Sequence, residues 1–236
     1  MPGEANVVAV LDRDADLGEG IPNEQLGLAR QASLANVLTV APGAWPVPGD
    51  PKDGFGLLVL EGLFVREVSV ERRNAAEVLG PADLLRPWDQ DGTDALLPAV
   101  AAWRVLSPAR LAVLDARWAA RMAAWPSVGC ELAGRGVMRS RRLVVTLAIA
   151  QQPRLDVRLW MLLWDLAERY GTVHGDGVHL DAPLTHESLA HLAAARRPSV
   201  SSALSRLTER GLLERRRSLW ILRGEPPSNN GELPES

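Results

Sequence analysis

Residues 184–213 read LTHESLAHLAAARRPSVSSALSRLTERGLL, and their capping and apolar residues predict two short helices joined by a tight turn. Thr185 is a favourable N-cap for the first helix, and Leu189 and Leu192 supply its buried face. Pro198 suits the first turn of the second helix, and the alanines before it fill a short turn. This order of elements is the layout of a helix-turn-helix unit.

The second helix is predicted to have one apolar face and one polar face. Its buried stripe consists of Val200, Ala203, Leu204 and Leu207. Its exposed face carries Ser199, Ser201, Ser202, Ser205 and Arg206. Serine hydroxyls can reach bases or phosphates, and arginine can form two hydrogen bonds to guanine, so this face is typical of a helix that reads DNA.

A short basic hairpin is predicted directly after this unit. Residues 211–222 read GLLERRRSLWIL, in which two apolar runs flank Arg215, Arg216 and Arg217. We interpret this hairpin as a wing whose basic tip would contact phosphates and add affinity without reading sequence. The alternative is an ordinary helical subdomain with a solvated arginine loop.

Charge is distributed unevenly along the 236 residues, whose formal net charge is −3. Residues 1–134 carry 10 Arg and one Lys against 18 acidic residues, a net charge of −7, whereas residues 135–223 carry 15 Arg against 8 acidic residues, a net charge of +7. Residues 224–236 add −3. The basic part is a candidate for contact with a polyanion, although an arginine-rich helical surface can also be merely solvated.

The first 106 residues alternate between short apolar runs and turn residues. The runs cover 34–40, 55–60, 63–70, 76–79, 84–88 and 99–106, a spacing that predicts the strands of a sandwich or barrel. We expect 55–60 and 63–70 to pair as one hairpin that turns at Gly62. A strand over 7–11 and a helix over 24–34 are predicted before these runs.

The pattern becomes helical after residue 106. Ser107 and Pro108 are typical of a helix start, and residues 108–124 are rich in Ala, Leu and Arg, so a helix is predicted there. A long one-sided helix is predicted over 127–151, another helix over 155–170, and a small hairpin over 172–180.

Several classes of protein are excluded. No apolar run reaches the ~18 residues that a membrane-spanning helix needs. The first 30 residues lack a secretory signal pattern, so we expect a cytoplasmic protein without a membrane partner. Cys130 is the only cysteine, which excludes an intrachain disulfide and a four-cysteine metal site.

No catalytic or metal site is predicted. All four histidines lie between residues 174 and 191, so a β-roll metalloenzyme would lack its ligands inside residues 1–106. His186 and His191 are five residues apart, a poor spacing for two ligands on one helical face, and we interpret the histidines as solvated or capping. We therefore expect no metal, no cofactor and no enzyme activity. Cys130 is interpreted as inert, with a redox sensor as the alternative.

Residues 153–223 resemble the winged helix-turn-helix of the cyclic-AMP receptor (Crp/Fnr) family of bacterial transcription regulators. The resemblance is carried by residues 184–190, 195–207 and 210–213. It implies an α+β fold: an N-terminal antiparallel β-roll (a jelly roll like a cyclic nucleotide-binding domain), a long dimerisation helix and a C-terminal winged helix-turn-helix. We accordingly expect a β-roll sensor-like domain over 1–106, a helical connector and dimerisation helix over 107–152, the DNA-binding domain over 153–223 and a disordered tail over 224–236.

The resemblance also implies partners and contact residues. It implies a homodimer formed along the long helix, with Val128, Leu132, Leu143 and Leu147 in the interface. It implies a recognition helix over about 198–209 in the major groove of a palindromic double-stranded operator, and it makes RNA polymerase a candidate partner. The residues expected at the DNA are Arg196, Arg197, Ser199, Ser201, Ser202, Arg206, Arg215, Arg216 and Arg217. Pro198 stands where many members have an acidic residue, so the base preference should differ.

The sensor half departs from the cyclic-nucleotide binders of this family, which hold the ribose and phosphate with a Gly-Glu-Leu stretch and an Arg-Ser/Thr pair. Residues 80–94 here read GPADLLRPWDQDGTD. Asp89, Asp91 and Asp94 would place negative charge where the phosphate sits, and Arg86 could replace the missing arginine only if the loop reorganised. Leu143-Val144 replace the polar pair that meets the base. We predict that cyclic AMP or GMP is not bound in the usual mode; the effector is unknown.

Two other hypotheses stay open from the sequence. One is a β-roll enzyme with an accessory DNA-binding domain, and the other is an effector-blind adaptor protein that recruits a partner. Trp45, Trp88 and Trp103 could line an apolar effector pocket, but core packing is the default interpretation.

Overall fold

The N-terminal part of the chain is built mainly of short strands. The computed structural model describes residues 7–46, 54–71, 73–88, 98–226 and 233. The residues group into two units: Met1–Phe64, Leu79–Ala95 and Trp103–Arg141 form one, and Val65–Val78, Leu96–Ala102 and Arg142–Ser236 form the other. The acidic positions Asp89, Asp91 and Asp94 and most of the predicted tail lie outside the described residues.

Two sheets contain the strands before residue 115. The five-stranded sheet has the order β1-β2-β9-β4-β7, and the four-stranded sheet has the order β3-β8-β5-β6. The strands are β1 (Val7–Ala9), β2 (Leu34–Val40), β3 (Gly43–Ala44), β4 (Gly56–Glu61), β5 (Phe64–Val70), β6 (Arg73–Leu79), β7 (Leu84–Leu85), β8 (Ala99–Val105) and β9 (Ala109–Leu114). The pairs β1–β2, β2–β9, β4–β9, β4–β7 and β3–β8 are antiparallel, as predicted for a β-roll.

Apolar side chains of the first unit form two core clusters. One draws on strands of both sheets and includes Trp45, Phe64 and Trp103. The other lies beneath helices α1 (Val10–Arg13), α2 (Asn23–Ala32) and α3 (Ala116–Met122), where Trp118 is fully buried and its indole N–H donates to the Ser33 carbonyl at 3.0 Å. A 3₁₀ turn, Ala15–Gly18, completes this layer.

The prediction of one helix over 108–124 is wrong. Residues 109–114 form β9, which pairs with β2 on one side and β4 on the other. The helix begins only at Ala116, after the Asp115 carboxylate accepts the Trp118 backbone N–H at 2.8 Å. Ser107 does not cap a helix but accepts the Leu63 N–H at 3.0 Å. Pairing on both sides of a central strand overrides the helix propensity of Ala, Leu and Arg.

The prediction of a hairpin across 55–70 is also wrong. β4 pairs with β9 and β7, whereas β5 lies in the other sheet, so residues between them carry the chain from one sheet to the next. Gly62 has a φ of +92°, and a Cβ there would stand 2.6 Å from that of Ala109. Only glycine fits this close approach without a backbone shift. The strand predicted over 7–11 ends at Ala9, where α1 begins.

Residues after 125 follow the prediction closely. α4 (Pro126–Ala150) is the long helix, and α5 (Leu155–Tyr170) follows it. The remaining elements are β10 (Gly171–His174), β11 (Gly177–Asp181), α6 (His186–Leu192), α7 (Arg197–Glu209), β12 (Leu213–Arg216) and β13 (Leu219–Leu222). The four strands form a sheet of order β10-β11-β13-β12 with antiparallel pairs, and α5 packs against α7. None of the described helices is long and apolar enough to cross a membrane.

Candidate nucleic-acid interface

The helix-turn-helix forms as its sequence predicts. Thr185 caps α6 by accepting the Ser188 backbone N–H at 3.0 Å. Leu189 and Leu192, which belong to α6, are buried. The turn closes when the Ala195 N–H donates to the Ala190 carbonyl at 2.9 Å. Only four residues separate the end of α6 at Leu192 from the start of α7 at Arg197.

α7 has the amphipathic character expected of a recognition helix. It starts at Arg197 with Pro198 in its first turn. The predicted buried stripe is confirmed, since Val200, Ala203, Leu204 and Leu207 are all buried. The opposite face is polar and short, so another macromolecule can approach the helix backbone closely.

Three serines on α7 share one hydrogen-bonding arrangement. Ser201, Ser202 and Ser205 each donate the hydroxyl hydrogen to the carbonyl four residues earlier, at 3.3, 3.3 and 3.1 Å. Their oxygens keep lone pairs that can accept from outside. A base edge that presents an amino group, as adenine and cytosine do in the major groove, is the matching donor. Ser199 is exposed on the same helix.

The arginines near α7 have different surroundings. Arg196 and Arg197 are exposed, and neither forms an ion pair within the part of the chain that the structure describes. Arg206 lies 3.8 Å from the Asp156 carboxylate on α5. Burial works to raise the pKa of Asp156, but hydrogen bonds from Arg154 and the Val157 N–H lower it below its ordinary value. Arg206 therefore partly serves to neutralise a carboxylate inside this unit.

β12 and β13 form the predicted wing, and its three arginines also differ. Arg215 lies over the Trp220 ring at 4.3 Å and donates to the Leu184 carbonyl at 3.0 Å. Arg216 forms an ion pair with Glu214. Arg217, at the tip, has a φ of +58° and is exposed, and no side-chain partner is seen for it among the described residues. Burial lowers the pKa of Arg215 below its ordinary value, whereas the hydrogen bond to Glu214 raises the pKa of Arg216.

A groove of about 390 Å³ separates α7 from the wing, and His186 lies in it. The Nδ1 atom of His186 is 2.8 Å from the Ser201 hydroxyl oxygen. The prediction that the histidines are only solvated or capping missed this contact. The sequence feature that could have indicated this contact is the position of His186 directly after the N-cap of the first helix.

Sequence comparison identifies this region. Residues 157–225 match the family model of the Crp-like helix-turn-helix domain. This part of the chain is a Crp-like helix-turn-helix domain. The match begins within α5 and ends just beyond β13, so it contains α6, α7 and the wing. No curated protein matches the chain at a significant level.

Solved structures extend the likeness beyond the Crp-like domain. A cyclic nucleotide-binding domain containing protein from Listeria monocytogenes EGD-e has a TM-score of 0.63 and 17% identity, covering 88% of this chain and 96% of its own. FixK2 from Bradyrhizobium japonicum has a TM-score of 0.61 and 17% identity, covering 80% and 93%. A CRP/FNR-family transcriptional regulator from Thermus thermophilus has a TM-score of 0.54 and 20% identity, covering 80% and 94%. The chain therefore has the CRP/FNR fold.

The four residues predicted for the dimer interface lie on α4 and differ in exposure. Val128 and Leu132 are each only 1% exposed because they pack into the core of the first unit. Leu143 and Leu147 are 39% and 62% exposed. The other large apolar residues exposed on this helix are Val137, Met138, Val144 and Val145.

In the first unit, the turn at 80–83 is closed by its own side chain. The Asp83 carboxylate accepts the Gly80 N–H at 2.9 Å. Arg86 donates to the Gly54 carbonyl at 2.6 Å, so this guanidinium is engaged with backbone. Arg135 on α4 forms a two-pronged ion pair with Asp14 and also donates to the Ala82 carbonyl at 3.2 Å.

The tryptophans of the first unit pack as a core. Trp45 lies 5.2 Å from Phe64 and 6.0 Å from Trp103, measured between ring centroids. Trp45 and Trp103 are each 7% exposed, and Trp88 packs against the same cluster. These aromatic side chains thus belong to the packed core of the first unit.

Proposed function

We propose that this chain is a dimeric, sequence-specific DNA-binding transcription regulator of the Crp/Fnr type that acts in the cytoplasm. The observation that carries the proposal is the Crp-like helix-turn-helix match over 157–225, combined with an exposed polar face on α7. RNA polymerase is a candidate partner of such a regulator. No feature of the described residues favours the enzyme or the adaptor hypothesis instead.

Contacts to bases come from α7 in this proposal. Arg197 and Ser199 lie in its first turn and are exposed, and Ser201 and Ser202 follow on the same polar side. Arginine is suited to guanine, and the serine oxygens accept from amino groups in the major groove. Pro198 offers no charged or hydrogen-bonding side chain, so the second residue of α7 contributes shape alone.

In this proposal, contacts to phosphates come from exposed arginines before and after α7. The first helix of a helix-turn-helix crosses the DNA backbone while the second enters the groove. Arg196 precedes α7 and Arg217 marks the wing tip, and both residues are exposed. Such contacts position the protein and make its affinity depend on salt, but they carry little sequence information.

Dimerisation would use the second half of α4. Its exposed apolar residues include Val144 and Leu147, which are 65% and 62% exposed. Apolar residues three and four apart on one helix form the kind of stripe that pairs with a copy of itself. A two-fold dimer matches a palindrome, because each protomer reads the same half-site. Movement of the paired helices would reset the spacing of the two recognition helices, a means of regulation.

Cyclic nucleotides are not expected to be the effector through the usual pocket. Arg86 is hydrogen-bonded to the Gly54 carbonyl and Arg135 to Asp14, so neither guanidinium is held ready for a phosphate. Trp45 and Trp103 are buried in an apolar core cluster of the first unit. Bringing a phosphate in would require breaking such contacts without a replacement partner.

Thermal-shift titration tests this directly. We expect the melting temperature of the full chain to stay unchanged up to millimolar cyclic AMP or cyclic GMP, because only a ligand that binds the folded chain stabilises it. A concentration-dependent rise that begins at micromolar nucleotide would contradict the prediction.

Selection from a random duplex library tests the function as a whole. We expect the full chain to enrich one motif, and an Arg197→Ala variant to lose that enrichment because a base-contacting side chain is gone. Arg117→Ala is the matched control, since Arg117 is an exposed arginine on α3 of the other unit. No enriched motif with the wild-type chain would overturn the proposal.

A further inference from the structure

His186 holds a position in the DNA-binding unit that a solvated histidine would not. It is half-buried at the start of α6 and lines the groove between α7 and the wing. The groove is lined by Ser201, Ser205 and Glu209 of α7 and by Arg215 and Trp220 of the wing. His186 is thus the point where both helices of the helix-turn-helix and the wing meet.

His186 contacts the recognition helix through Nδ1, which lies 2.8 Å from the Ser201 hydroxyl oxygen. A charged imidazole carries hydrogen on both ring nitrogens. Nδ1 then donates to the Ser201 oxygen while the Ser201 hydroxyl donates to the Arg197 carbonyl at 3.3 Å. Nε2 is the second donor of the charged ring.

Positive charge surrounds this imidazole before DNA arrives. Burial lowers the pKa of His186 below its ordinary value of 6.5, and the charges of Arg215 and Arg197 lower it further. Glu209 is the acidic residue that lines the same groove, and His186 forms no ion pair with it or with any other described carboxylate. The surroundings of His186 in the free protein therefore favour the neutral imidazole.

A DNA phosphate would reverse this balance. The first helix of a helix-turn-helix crosses the DNA backbone, and His186 is the first residue of that helix. A phosphate within a few ångströms favours the charged imidazole, as any nearby opposite charge does.

We propose that His186 is a proton-linked phosphate contact, which takes up a proton from solvent when DNA binds and, once charged, donates from Nε2 to a phosphate oxygen. Nδ1 keeps its hydrogen bond to Ser201, so the same ring connects the phosphate contact to a residue of the recognition face. This inference rests on the proposed DNA-binding function and specifies one residue in it.

The pH dependence follows from the sign of the two shifts. The pKa is lowered in the free protein and raised in the complex, so binding takes up a proton at every pH between the two values. Affinity for DNA therefore falls as pH rises through this window, by up to about tenfold per pH unit for each protomer. Outside the window the affinity is flat, because the proton count no longer changes.

Fluorescence anisotropy with the selected duplex, at constant ionic strength between about pH 6 and pH 8.5, tests the proposal. We expect wild-type affinity to weaken with rising pH, His186→Gln to bind weakly with no pH dependence, and His186→Arg to bind tightly at every pH because arginine stays charged. His174→Gln, on the exposed β10, should keep the wild-type profile. Circular dichroism melting shows that each variant is folded.

Three results would separate the possible failures. Specific wild-type binding without a pH slope would overturn the role of His186 while leaving DNA binding intact. A slope that survives in His186→Gln would assign the proton to another group and would also overturn it. Absence of specific binding at all pH values would overturn the proposed function itself. A histidine NMR titration of the free and DNA-bound chain should show the His186 pKa higher in the complex.

Discussion

Neighbouring residues of one type have different environments in this protein, and the wing shows this most clearly. Arg215, Arg216 and Arg217 are equivalent in sequence, yet the first stacks on Trp220, the second pairs with Glu214 and the third projects from the tip. Sequence pattern predicted a basic tip but could not distinguish these roles, because they depend on which side of the hairpin each side chain occupies. We therefore expect one arginine to act on DNA and another to act on the fold.

Two single substitutions test this distinction. Arg217→Ala should leave the melting temperature unchanged, weaken binding to all DNA sequences similarly, and reduce the slope of log K against log salt by about one. Arg215→Ala should instead lower the free energy of unfolding by about 1–2 kcal/mol, because a cation–π contact and a hydrogen bond to the Leu184 carbonyl are lost. A change in sequence preference alone in Arg217→Ala would show that the tip does not contact phosphates.

Elements fixed by local signals were predicted well, and elements fixed by distant pairing were not. The ends of α6 and α7 follow from Thr185, Pro198 and the apolar stripes, all of which act within one or two helical turns. β9 was predicted as helix because its place between β2 and β4 depends on residues about 50 or more positions away. The passage of the chain from one sheet to the other at Gly62 was missed for the same reason, because it also depends on pairing with distant residues. His186 was missed as a site residue because its partner Ser201 lies on another helix.

The long helix α4 has one property that local sequence predicts and another that depends on distant contacts. Its helical state and length were predicted from periodicity, but its burial differs between its two halves. Leu132 is buried in the core of the first unit, whereas Leu147 is 62% exposed. Periodicity places both on an apolar face and cannot tell which part of that face the chain itself covers.

Substitutions at these two leucines should change different properties, the oligomeric state at Leu147 and the stability of the fold at Leu132. Leu147→Asp should convert the protein to a monomer in analytical ultracentrifugation without loss of folding, because a carboxylate would be buried in the proposed interface. Leu132→Ala should lower the free energy of unfolding by about 2–5 kcal/mol while the folded fraction remains dimeric. Leu147→Met serves as a control of similar size and polarity. A Leu147→Asp variant that stays dimeric would exclude this stripe as the interface.

At the scale of the whole molecule, the net charge of −3 combines an acidic part and a basic part of the chain. Residues 135–223 carry +7, and they include most of the Crp-like domain with its exposed arginines. Residues 1–134 carry −7, and Arg86 within them donates to the Gly54 carbonyl. Arg135, just beyond this part of the chain, is engaged with Asp14. The same tally that favours a polyanion partner for one part of the chain disfavours an anionic effector for the other.

The spacing of half-sites in DNA selected by the full chain tests the central claim most directly. A two-fold dimer with one recognition helix per protomer must read two half-sites about one helical turn apart, or about 34 Å. We predict an enriched palindrome whose half-site centres lie about 10 base pairs apart. An enriched single half-site, a direct repeat, or no enrichment at all would contradict the account of a dimeric, sequence-specific regulator.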